Sequence, residues 1–185
     1  MTRLVTEYDL DLDWRGFELH PETPRGGMPI SALLPAARVP AMLAQLRTFA
    51  AGFGVTGIEH TGHVPNTRRA LAVAERARVE GRLDAFRHAA MRAHWEQLQD
   101  IEDPDVLADL AASVGMDPAA ARAAADDPAI QATLDAVRSE ANRLGVPGIP
   151  TFVFGHLGQG ARAVVGCQPW EALSQAALQA GAKRR

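Results

Sequence analysis

The chain has 185 residues, with 19 basic and 22 acidic side chains, a formal charge of −3 and one cysteine, Cys167. The interspersed charges form no basic stripe, which argues against nucleic-acid binding through phosphate neutralisation. No apolar run reaches the length of a membrane-spanning helix, and a single thiol rules out a disulfide within these residues.

The opening residues, Thr2 to Tyr8, read as the last turns of a helix. Residues 9–19 then alternate, with Leu10, Leu12 and Trp14 on one side and Asp11, Asp13 and Arg15 on the other. A period of two predicts a strand buried on one face. Prolines and glycines crowd the stretch from His20 to Pro40, which predicts a long loop without regular structure. Met42, Leu43, Leu46 and Phe49 recur at helical spacing up to Gly52 and Gly54. Asn66 is placed to cap a helix running to Gly81, with Leu71, Ala74 and Ala77 inward. Another helix spans about 82–98 and carries Leu83, Phe86, Ala90 and Trp95. Asp103-Pro104 and Asp117-Pro118 each look like a capped helix start with proline in the first turn. Pro128 opens a helix reaching Gly145, with Ile130, Leu134, Val137 and Leu144 inward. The pattern then changes to strands: Thr151-Phe152-Val153-Phe154 and Ala163-Val164-Val165, joined by a glycine-rich turn from Gly155 to Gly160, read as a hairpin. An amphipathic helix from Trp170 to Ala180 follows, and the closing Lys183-Arg184-Arg185 reads as a frayed, solvated tail.

Several stretches, in this order, carry a family resemblance. They are Trp14-Arg15-Gly16-Phe17-Glu18-Leu19-His20-Pro21-Glu22-Thr23-Pro24, Pro65-Asn66-Thr67-Arg68 at a helix start, Gly145-Val146-Pro147-Gly148-Ile149-Pro150-Thr151-Phe152, and Gly166-Cys167-Gln168-Pro169-Trp170 before the last helix. Together they resemble the DsbA-type thioredoxin-fold proteins of the FrnE-like kind, over nearly the whole chain from Leu4 onward. The resemblance implies an α/β, thioredoxin-like (DsbA-like) fold. It places the thioredoxin-like domain in residues 1–35 and 147–185 and an all-helical insertion in residues 36–146.

The resemblance also implies a thiol–disulfide oxidoreductase whose substrate lies along a cis-proline loop, here Gly148, Ile149, Pro150 and Thr151. Proline lowers the cost of a cis peptide bond to about 0.5–1 kcal/mol, against about 2.5–4 kcal/mol for other residues. A cis bond at Ile149-Pro150 turns the Ile149 backbone outward like a strand edge. An extended peptide or a small thiol then pairs with it through main-chain hydrogen bonds. The departure from the family is that its redox CxxC belongs to a turn between a first strand and a first helix, and neither that turn nor that strand is found in these residues. Dithiol exchange needs a low-pKa thiolate, which a helix N-terminus supplies. No catalytic residue is therefore assigned. The expectation is that the reading frame begins upstream, with Met1 internal to the first helix. The rival expectation is that Leu10 to Trp14 pairs directly with Phe152 and its neighbours. Unpaired inner edges would also favour association with a second copy.

Three functions stay open on the sequence. The first is an oxidoreductase of the FrnE-like group, inactive in dithiol exchange as written. The second is a glutathione-dependent isomerase or kappa-class transferase, with glutathione as co-substrate and no other cofactor. The third is a non-catalytic binding module using the cis-proline edge. The acids of the opening residues stand where a secretory leader needs an apolar core, which with the single thiol predicts a cytoplasmic protein. Cys167 is expected to pack as a small apolar residue at the strand end. His60 and His63 have two-ligand spacing without a third ligand, so no metal is assigned. His88 and His94 fall on different helix faces, and His20 is expected to bond to backbone.

Overall fold

The computed structural model describes residues 2–155 and 161–185, which divide into two compact units: residues 1–19 with 136–185, and residues 20–135. Among the described residues there are eight α-helices and three two-stranded ladders, and no helix is long and apolar enough to cross a membrane.

The first unit begins with a helical turn and a half, α1 (Thr2–Glu7), and a short strand, β1 (Tyr8–Asp9). Leu4 and Tyr8 lie four apart, so both face the same side, and both are fully buried with Ala177. The alternation of residues 9–19 does not yield the expected strand. Leu10 and Trp14 are half-buried, but Leu12 is exposed, and residues 10–19 form no ladder. Alternation decides which side of an extended segment faces inward; only a neighbouring strand makes it a strand. The available neighbour is the C-terminal end. Lys183–Arg184, expected to fray, forms β6 and pairs antiparallel with β1, Tyr8 opposite Arg184 and Asp9 opposite Lys183. The Arg185 N–H extends the contact to the Glu7 carbonyl at 3.0 Å. The Arg184 guanidinium lies 5.7 Å from the Tyr8 ring centroid, a cation–π contact that a solvated tail would lack.

The same unit holds β4 (Thr151–Phe154), β5 (Arg162–Val165) and α8 (Trp170–Gln179). β4 and β5 pair antiparallel with Thr151 opposite Val165 and Phe154 opposite Arg162. The central residues of the connecting turn, 156–160, lie outside the described residues. Among the described residues β4 pairs with β5 alone, so the direct pairing of Leu10–Trp14 with Phe152 is not formed. Ser174 of α8 is buried and shares a 2.6 Å hydrogen bond with the Tyr8 hydroxyl, which satisfies both polar atoms.

The second unit is built around helices. The proline-rich stretch is more ordered than its composition suggests: β2 (Met28–Pro29) pairs with β3 (His63–Val64), and single 3-10 turns occupy Ile30–Ala32 and Ala36–Arg38. α2 (Val39–Ala51) takes Pro40 into its first turn, where no N–H is needed. α3 (Arg68–Val79), α4 (Leu83–Trp95), α5 (Pro104–Ser113) and α6 (Pro118–Ala125) follow, and α7 (Pro128–Arg143) runs on into the residues of the first unit.

The aspartates before the proline-initiated helices cap them. Asp103 accepts from the Asp105 N–H at 2.8 Å, Asp117 from the Ala119 N–H at 2.9 Å and Asp127 from the Ala129 N–H at 2.8 Å. At α3 the cap position is Thr67, whose side chain makes no cap bond, and Asn66, one residue earlier than a cap, accepts the Arg68 N–H at 3.0 Å. The core of this unit gathers Val73, Phe86, Leu107, Ala70, Ala77, Ala111 and Ala121. Small residues at the crossings let α3, α5 and α6 approach closely, while Phe86 and Leu107 fill the centre. The α3 face that turns inward is Ala70, Val73 and Ala77, with Leu71 only half-buried, and Leu144, beyond the end of α7, is exposed.

Candidate functional site

The segment after α7 carries the expected substrate residues. Two residues beyond the end of α7, Gly145 takes a φ of +68° that reverses the chain at no steric cost. Gly148, Ile149, Pro150 and Thr151 then lead into β4, and the Ile149-Pro150 peptide bond is cis. The Thr151 hydroxyl donates to the Gly148 carbonyl at 2.6 Å, closing the loop on itself. The Pro150 carbonyl accepts the Gly166 N–H at 2.7 Å, which ties the loop to the residue after β5. Among the described residues, neither the N–H nor the carbonyl of Ile149 has a hydrogen-bond partner. The residue is 53% exposed. An unpaired main-chain donor and acceptor two residues before an edge strand are what an extended ligand needs in order to pair.

The residues opposite this loop were not assigned to the site from the sequence: Val165, Gly166 and Gln168 line up with it through the hairpin register. Val165 faces Thr151 across the ladder, and its carbonyl accepts from the Gln168 side chain at 2.8 Å. The signal that finds them is register, since pairing Phe152 with Val164 fixes what lies beside Pro150. Cys167 follows Gly166 and is exposed, which corrects the expectation that it packs as a small apolar residue. The strand ends at Val165 and Gly166 takes a φ of +81°, so the chain turns before Cys167 and carries its thiol away from the core.

The histidines sort differently from expectation. His20 bonds to the Glu22 carboxylate at 3.2 Å, not to backbone. Glu22 is two residues away in the same turn, and a carboxylate is a stronger acceptor for an imidazole than a peptide carbonyl. His88 is exposed on α4, while His94, half-buried at the end of α4, meets His60 and His63 around one cavity. Proximity in sequence linked only His60 to His63; the helix packing brings the third ring. Even so, among the described residues no three His, Cys, Asp or Glu side chains are arranged to hold a metal ion.

Comparison with known proteins gives the family context. The family model described as a DSBA-like thioredoxin domain matches residues 1–178. A crystal structure of a probable DsbA oxidoreductase from Streptomyces coelicolor superposes with a TM-score of 0.74 at 28% identity, covering 90% of this chain and 73% of that one. No protein of curated function matches the chain.

Proposed function

Because the chain belongs to the DSBA-like thioredoxin domain family, we propose that it acts as the substrate-docking part of a thiol–disulfide reaction, of the FrnE-like type. Gly148, Ile149, Pro150 and Thr151 receive an extended peptide or a small thiol such as glutathione. The observation that carries this reading is the unpaired main chain of the exposed residue Ile149, two residues before a strand that, among the described residues, is paired on one edge only. A ligand strand laid beside it gains main-chain hydrogen bonds, with alternate side chains reaching the exposed Val153. The Gly148–Thr151 hydroxyl bond and the Gly166–Pro150 bond hold the loop in place, so little ordering cost falls on binding.

These 185 residues contain one thiol, so they hold no cysteine pair for dithiol exchange. The chain alone therefore binds without turning over disulfides. Two measurements test this. Titration with oxidised glutathione or an extended cysteine-containing peptide, followed by amide NMR, should shift Ile149, Thr151 and Val165 before other residues. Insulin reduction by the purified chain should stay at background and be unchanged in Cys167→Ser. A ligand that shifts only distant amides would refute the docking site, and turnover above background would refute the catalytic silence.

A further inference from the structure

In the helical unit, three histidines from separate elements meet around a cavity of about 240 Å³, which Glu59 and Asp100 also line. His60 lies in the segment after α2, His63 in β3 and His94 at the end of α4. One backbone bond, from the Glu59 N–H to the Trp95 carbonyl at 2.7 Å, fastens residues 55–61 to α4. The His60 ring sits 6.2 Å from Trp95, centroid to centroid. Within the segment, the Gly62 N–H donates to His60 Nδ1 at 2.7 Å. That bond exists only while Nδ1 is unprotonated, so the closed turn requires a neutral His60.

The acidic groups nearby are already engaged. Arg47 of α2 holds the Glu59 carboxylate at 2.9 Å and the Ile58 carbonyl at 2.9 Å. Asp100 accepts the Glu102 N–H at 2.9 Å. On α4 itself Arg92 pairs with Glu96 at 3.7 Å. A proton on His60 thus breaks its own turn and places a cation beside two further imidazoles.

We propose that residues 55–61 form an acid-released latch, anchored at its end where the Gly62 carbonyl accepts the Ile30 N–H at 2.8 Å and β3 pairs with β2, closed over α4 while His60 is neutral and released when His60 is protonated. Burial, and secondarily the charge of His63, pushes the His60 pKa below the ordinary imidazole value. Burial, and secondarily His60, does the same to His94 against the opposing pull of Asp100. In the released segment the imidazole is solvated and titrates normally. The released form therefore binds more protons, and closure weakens as pH falls below the ordinary histidine value of about 6.5. Each pKa unit of depression multiplies the released-to-closed ratio about tenfold once the pH lies below the closed-state value.

Amide exchange and histidine titration by NMR on the full chain test the latch. Between pH of about 7.5 and 5, protection at the Glu59 amide, corrected for intrinsic exchange, should fall about tenfold or more. Its midpoint should track the His60 ring, and helical circular dichroism should stay unchanged. His60→Asn keeps an acceptor for the Gly62 N–H but does not titrate, so its Glu59 protection should survive acid. His94→Gln leaves the His60–Gly62 bond in place and should reduce the acid response by removing one facing cation. Unchanged wild-type protection, an acid response that persists in His60→Asn, or loss of helical signal over the same pH range would each overturn the proposal.

Discussion

Replacing Glu102 with alanine should loosen the proline-rich stretch from the helical core, and the structure sets the size of the effect. Glu102 is 8% exposed, and both its carboxylate oxygens lie 3.0 Å from the Gly26 N–H. That is one donor shared by two acceptor atoms, so it counts as a single hydrogen bond to a charged group, worth about 1.5–3 kcal/mol. Alanine also removes about one buried methylene, a further 0.8 kcal/mol or so. Relief of carboxylate desolvation offsets part of the sum, leaving a loss of about 2–3 kcal/mol. Glu102→Gln retains a neutral acceptor and should lose only about 1 kcal/mol. In urea, with a slope of about 2–3 kcal/mol per molar, the alanine variant's midpoint should drop by about 1 M and the glutamine variant's by about a third of that. Exchange at the Gly26 amide, followed by NMR, reads the same bond directly. An alanine variant within about 0.5 kcal/mol of wild type, with unchanged Gly26 exchange, would show that this carboxylate does not hold the stretch. Equal losses in both variants would show that acceptor strength is not the cause.

Gly26 and Gly27 separate backbone conformation from packing. Gly26 has a φ of +83° with open space where a Cβ would go, whereas a Cβ on Gly27 would clash with the His63 ring and meet the Val64 carbonyl at 2.5 Å. Gly26→Ala should cost about 1–2 kcal/mol, and Gly27→Ala about 1–3 kcal/mol more, by urea melts. Asp126 carries a pH prediction: hydrogen bonds from Arg69 first and Arg25 next hold its carboxyl below the usual aspartate range. Its folded pKa is depressed, so the stability it contributes is present above the ordinary aspartate pKa and is lost as pH falls through the folded value. Asp126→Asn should flatten that part of the acid limb of the stability curve; a limb of unchanged slope would refute the assignment.

Much of the helical unit could be read from local chemistry. Asp-Pro pairs at 103–104 and 117–118 start helices where expected, because the cap and the proline act within one turn. The run from Thr151 to Phe154 becomes a strand paired with residues 162–165, since β-branched and aromatic residues suit a pleated surface whichever partner they meet. The motif order pointed to a DsbA-like thioredoxin fold, and the family match and the structural superposition agree with it.

The sequence alone determined periodicity, capping, turn chemistry and the supply of a single thiol, all properties of neighbouring residues. Everything that depended on a distant partner was decided by the tertiary structure. Alternation over residues 9–19 did not become a strand, while the basic tail became one through Tyr8, 176 residues from Arg184. Cys167 turned outward because Gly166 bends the chain after β5. His94 joined His60 and His63 only through the packing of α4 against the segment after α2. Ladder partners, exposure and side-chain clusters are contacts between residues far apart in the chain, and no local pattern of residue types specifies which of the sterically allowed contacts will form.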